Sequence, residues 1–87
     1  TRIPPHNLEA EQSIIGGLML ESDALDQVVD LIRAEDFYKP AHSKIFEVIQ
    51  HIHAKSQPID IITVSNAFQA QGDMDTIGGP EYIVSLM

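Results

Sequence analysis

Ala41, Ile45, Val48, Ile49 and Ile52 recur at spacings of three and four residues behind a proline at position 40, with Tyr38 on the same projected face and Phe46 at its edge. That is the pattern of one helix burying one stripe, and it is the longest and best-patterned run in the chain. Proline is favoured at the first helical position, where its missing N–H is no loss. The spacing therefore predicts a central helix from Pro40 to about Lys55, ended by Ser56–Gln57–Pro58. A helix with so wide an apolar face needs partners, and the partners legible in the rest of the chain are helical too.

Residues 1–6 read as an extended arm, since Pro4 and Pro5 fix φ and keep their predecessors out of the helical region. Asn7 is a candidate N-cap, and Glu9 and Glu11 suit the positive end of the helix dipole that follows. Leu8, Ile14, Ile15, Leu18 and Met19 form an apolar arc on this first helix, and Glu11 falls inside it. Gly16 and Gly17 each cost about 1 kcal/mol relative to Ala in a helix interior. Their expected compensation is the close approach of another element. Gly16 lies beside the arc and Gly17 opposite it, so one of the two is expected to open a second contact face. Leu25, Val28, Val29 and Ile32 predict a second helix from about Asp23 to Arg33, capped by Ser22 or Asp23. Glu35–Asp36–Phe37–Tyr38 then reads as a turn that tucks both aromatics inward.

Pro58–Ile59–Asp60–Ile61–Ile62–Thr63–Val64 has the β-branched content of a strand. The alternation breaks at Ile61–Ile62, however, and no second strand-like run exists to pair with it. Ile61, Val64 and Phe68 fit a helical stripe with Asp60 as N-cap and Gly72 as C-terminal cap. A last helix starts at Gly79–Pro80–Glu81. The expected fold is thus all-α, a compact bundle of about five short helices in one domain over residues 1–87. Its expected core is Ile15, Leu18, Val28, Phe37, Ile45, Ile49, Phe68 and Ile83.

Thirteen Asp and Glu against five Lys and Arg give a net charge of −8. Binding to a nucleic-acid backbone requires several cations facing phosphates, whereas Arg2, Arg33, Lys39, Lys44 and Lys55 are scattered. A helix-turn-helix reader is disfavoured as well, because the fourth helix offers Ser65, Asn66, Gln69 and Gln71 but no Arg or Lys. There is no cysteine, hence no disulfide framework or thiolate metal site. His51 and His53 point apart on a helix, and His42 and His53 are separated by about 16 Å of axial rise, so no histidine pair can share an ion. Asp73–Met74–Asp75–Thr76–Ile77–Gly78 departs from a calcium loop at Ile77 and again at Val84, where a bidentate Glu is needed. Neither G-x-G-x-x-G nor G-x-x-x-x-G-K occurs. No catalytic, cofactor-binding or metal-ligating residue is assigned.

The opening Thr1–Arg2–Ile3–Pro4–Pro5–His6–Asn7–Leu8–Glu9–Ala10–Glu11–Gln12–Ser13–Ile14–Ile15–Gly16–Gly17–Leu18–Met19–Leu20, the block Glu35 to Phe46, the block Pro58 to Val64, and Gln71–Gly72–Asp73 with Ile77–Gly78–Gly79 occur in one order. Together they resemble the N-terminal domain of bacterial replicative hexameric DNA helicases of the DnaB type, over essentially the whole chain. The resemblance implies a non-catalytic collar domain that supports ring assembly and docks primase and other replication factors. In the family a helical hairpin, a linker and a RecA-like motor follow, and ATP and Mg belong to that motor. The resemblance also implies a cytoplasmic setting and no direct contact with nucleic acid or membrane. The chain stops inside an apolar helix, as though cut within a larger protein. The rival reading is a small acidic all-α adaptor that binds a basic protein partner.

One helix face cannot readily bury Tyr82, Ile83, Leu86 and Met87 together, since Tyr82 and Ile83 point about 100° apart. Exposed aromatic and Met side chains are common interface anchors. These four residues are therefore the expected self-association face, and Gly16 and Gly17 the expected helix-contact positions.

Overall fold

A computed structural model describes residues 7–28 and 31–87, with Ser22 described by its backbone alone. The arm at residues 1–6 and Val29 of the predicted second helix lie outside the described residues. Five α-helices are formed among the described residues: α1 Leu8–Leu20, α2 Leu25–Val28, α3 Pro40–Ala54, α4 Ile61–Gln71 and α5 Pro80–Ser85. Short 3-10 turns at Ser22–Ala24, Ala34–Asp36 and Asp75–Ile77 join them, and no β-strand occurs among the described residues. The radius of gyration is 11.7 Å, against about 12 Å for a compact chain of this length.

α3 is central, packed by α1, α4 and the flanking 3-10 turns. Because it is covered on several sides, its buried face is wider than a single stripe. Phe46, placed at the edge by the sequence pattern, is fully buried, together with Ala41, His42, Ile45, Val48, Ile49 and Ile52. Phe37 packs on Phe46 with ring centroids 5.1 Å apart. Tyr38, expected to face inward, is 58% exposed. Phe37 (ψ 131°) and Lys39 (ψ 124°) flank it in extended conformation, as the residue before a proline must be. Consecutive side chains of extended backbone point to opposite sides, so Phe37 turning in sends Tyr38 out.

α4 begins and ends on local signals. The Asp60 carboxylate accepts from the Thr63 backbone N–H at 2.9 Å, and the Asp60 N–H donates to Thr63 Oγ1 at 3.0 Å. At the other end Gly72 takes φ 74°, and the Asp73 N–H reaches the Phe68 carbonyl at 3.0 Å. Such a turn closes a helix with a residue in the left-handed region, where glycine carries no Cβ penalty. The β-branched start of this segment is thus overridden by its two caps and by burial of Val64 and Phe68.

The second helix is shorter than its periodicity predicts. After Val28 the N–H groups of both Leu31 and Ile32 donate to the Val28 carbonyl, and the chain turns out of the helix. Arg33 is extended, and its N–H donates to the Asp36 carboxylate at 2.9 Å. A side chain that captures a nearby backbone donor offers the chain an alternative to the helix, and Asp36 does so here. Ile32 still reaches the core without helical geometry. Of the expected core, Val28 is only partly buried, while Leu25, Ile59, Val64 and Ile77 are buried in addition. Leu8 is largely exposed, because the inward position at that end of α1 is taken by Glu11.

Candidate functional site

The chain's buried ionisable cluster joins three helices. Glu11 of α1 and His42 of α3 have no exposed surface. The Glu11 carboxylate accepts from the backbone N–H groups of Tyr38 at 2.5 Å and Lys39 at 3.3 Å, the two residues just before α3. It also accepts from His42 Nδ1 at 2.7 Å. The Tyr82 hydroxyl of α5 lies 2.5 Å from the other ring nitrogen, Nε2. The two rings are nearly parallel, at 5.9 Å between centroids. Lys39 Nζ stands 4.3 Å from the Tyr82 ring centroid, in cation–π geometry. No buried side-chain polar atom among the described residues lacks a partner.

Burial pushes the Glu11 carboxyl up. The hydrogen bonds from His42 and from the Tyr38 and Lys39 amides, with the field of His42, outweigh it, so the group ends below its ordinary value of 4.5. The positive end of the α3 dipole acts in the same sense.

A carboxylate, an imidazole and a hydroxyl in line are the parts of a nucleophile relay. A relay also needs a reacting atom to reach its hydroxyl. Lys39 lies over the Tyr82 ring, and none of the three described surface clefts is lined by Glu11, His42 or Tyr82. The cluster's geometry is that of a clasp, holding the start of α3 to α1 and the middle of α5 to α3.

The same clasp decides where the expected interface residues go. Tyr82, expected on an exposed face, is half-buried with its hydroxyl on His42. Ile83 and Leu86 are buried in the core. Met87, at 45% exposure, is the member of the group that stays open, and Val84 joins it at the surface. Of the glycine pair, the close approach is at Gly16: a Cβ there would lie 2.0 Å from the Leu86 carbonyl oxygen. At Gly17 a Cβ would meet nothing within 4 Å. α1 and the end of α5 therefore touch through Gly16, while Gly17 faces outward.

Of the remaining histidines described, His53 lies 3.1 Å from the Asp26 carboxylate and His51 is exposed. No group of three or more His, Cys, Asp or Glu placed to hold a metal ion occurs among the described residues. No helix there is long and apolar enough to cross a membrane.

Residues 3–87 match the family model described as the DnaB-like helicase N terminal domain. The chain belongs to this family. Among relatives of the DnaB-like domain, the replicative DNA helicase DnaB of Leifsonia xyli is 40% identical over 85 residues, covering 98% of this chain and 19% of the relative. That of Buchnera aphidicola from Schizaphis graminum is also 40% identical over 85 residues, covering 98% and 18% respectively. The chain thus spans about a fifth of the length of these curated relatives. The crystal structure of the N-terminal domain of DnaB helicase from Mycobacterium tuberculosis superposes with a TM-score of 0.90 at 37% identity, covering 97% of this chain and 61% of that one. The DnaB-like fold is accordingly the all-α bundle described above.

The clasp escaped the sequence reading, although one signal for it was in view: Glu11 sits within an apolar arc. A carboxylate at such a position needs buried donors. Its partners lie 27 to 31 residues away, beyond what local periodicity encodes.

Proposed function

We propose that this domain is the non-catalytic head of the collar of a replicative hexameric DNA helicase, where it supports ring assembly and takes part in docking primase during DNA replication in the cytoplasm. The observation that carries this reading is the family match across residues 3–87. In this reading ATP and Mg are handled by a motor elsewhere in a longer protein, and DNA is held there too. The net charge of −8 supports a role remote from phosphate backbones. Self-association would use the apolar side chains left open where α1 and α5 converge. Leu20 stands one turn beyond Gly16, and Val84 and Met87 lie at the end of α5.

Sedimentation equilibrium over a concentration series, alone and with primase, tests the proposal. Expected are concentration-dependent association, its weakening in Leu20→Asp and Met87→Asp with unchanged melting temperature, and co-sedimentation with primase. A strict monomer that ignores primase up to about 1 mM would overturn it. In parallel, labelled oligonucleotides should show no anisotropy change near physiological salt, and no ATP turnover should be measurable.

A further inference from the structure

Between the C-terminal half of α3 and the exposed side of α4 lies a cleft of about 510 Å³, within the range of about 300–1,000 Å³ typical of ligand sites. Its base is apolar: Ile52 belongs to the core, Ala67 packs against it, and Pro58 adds an exposed apolar wall. Lys55, Gln57 and Asn66 supply its polar rim, with the His51 ring at one end. No described Asp or Glu lines this cleft, although the chain carries a net charge of −8. The neighbouring cleft on α3, which shares His51, is of mixed sign, with Glu47 and Asp73 beside Lys44. The exposed Lys55 in this lining is therefore a local reversal of the domain's charge. The Lys55, Gln57 and Asn66 side chains make no hydrogen bond or ion pair to other described residues.

We propose that this cleft docks a short acidic–apolar peptide segment of a partner protein. One apolar side chain would cover Ile52 and Ala67. A carboxylate beside it would meet Lys55, and the two amide side chains would pair with a peptide group, which offers one donor and one acceptor as they do. Charge complementarity selects this occupant. A nucleic acid would find a single lysine there. Ile62 is exposed one turn before Asn66 on α4. The inference does not depend on the helicase reading, since it concerns the cleft alone.

The test is an amide chemical-shift titration of the 87-residue chain with two synthetic peptides. One is acetyl-Asp-Glu-Leu-Phe with a free carboxylate, the other acetyl-Lys-Lys-Leu-Phe-amide. Expected are saturable shifts centred on Lys55, Gln57, Asn66 and Ala67 with the acidic peptide alone, and at least a tenfold loss of affinity in Lys55→Glu. Lys55→Gln should show an intermediate loss with an unchanged melting temperature. The proposal is overturned by no shift at about 1 mM peptide, by equal shifts with the basic peptide, by affinity unaltered in both Lys55 variants, or by shifts at Lys55, Gln57, Asn66 and Ala67 that appear on raising chain concentration without peptide.

Discussion

Adjacent glycines in one helix should respond to the same substitution with opposite sign. A Cβ at Gly16 would stand 2.0 Å from the Leu86 carbonyl oxygen, whereas such carbon–oxygen contacts rest near 3.3 Å. The end of α5 must therefore retreat by roughly 1.3 Å. Backbone cannot yield as a flexible side chain does, so the cheapest relief is partial undocking of the last turn. Undocking exposes Leu86, whose burial contributes about 1.5–3 kcal/mol, and that sets the ceiling on the cost. Replacing a helical glycine with alanine returns about 1 kcal/mol. Gly16→Ala should thus destabilise by roughly 0.5–2 kcal/mol, from the difference of those two figures. Gly17→Ala meets nothing within 4 Å and should stabilise by about 1 kcal/mol. At about 4–8 °C per kcal/mol for a domain of this size, the two variants should melt roughly 6–24 °C apart. Urea and thermal melts monitored by circular dichroism decide the matter. If both variants move the midpoint the same way, the close-approach account of Gly16 is wrong.

The Glu11 carboxyl lies below its ordinary value, so its contribution to stability is present above about pH 4.5 and is lost as pH falls through the folded-state value. Glu11→Ala strands the Tyr38 amide and His42 Nδ1 and should cost about 3 kcal/mol or more at neutral pH; Glu11→Gln should cost less and flatten the acid limb of a stability–pH curve, a shape that unchanged acid sensitivity would contradict. Ser56, at φ 57°, holds a left-handed conformation at the end of α3, and Ser56→Gly should stabilise by about 0.5–1 kcal/mol in the same urea melts. Asp60→Ala removes the cap of α4 and should cost about 0.5–2 kcal/mol, with amide exchange accelerated first at Thr63 and Val64; an unaltered midpoint would show that the cap is dispensable.

What was legible in the sequence divides by distance along the chain. α3, α4 and α5 announce themselves because their start and stop signals are local: Pro40, the Asp60–Thr63 pair, Gly72 and Pro80 each act within one turn. The second helix was over-extended because Leu25, Val28 and Ile32 keep helical spacing while Asp36 captures the Arg33 amide from outside the window. Tyr38 was misplaced because apolar character was weighed without the extended backbone that Pro40 imposes. The role of Tyr82 was unreadable, since a phenol on an amphipathic helix looks the same whether it faces solvent or a histidine forty positions earlier.

The long-range seating of α3 also bears on how the molecule opens. Lys39, the residue at its N-cap position, makes no side-chain cap bond, and the amides of Tyr38 and Lys39 are held by a carboxylate from α1. The first turn of the longest helix therefore has no way to fray alone while α1 stays docked. Amide hydrogen exchange at Tyr38, a residue 58% exposed, should then proceed only through separation of α1 from α3. Its protection should track the most stable unit of the domain rather than the loop to which it belongs in sequence.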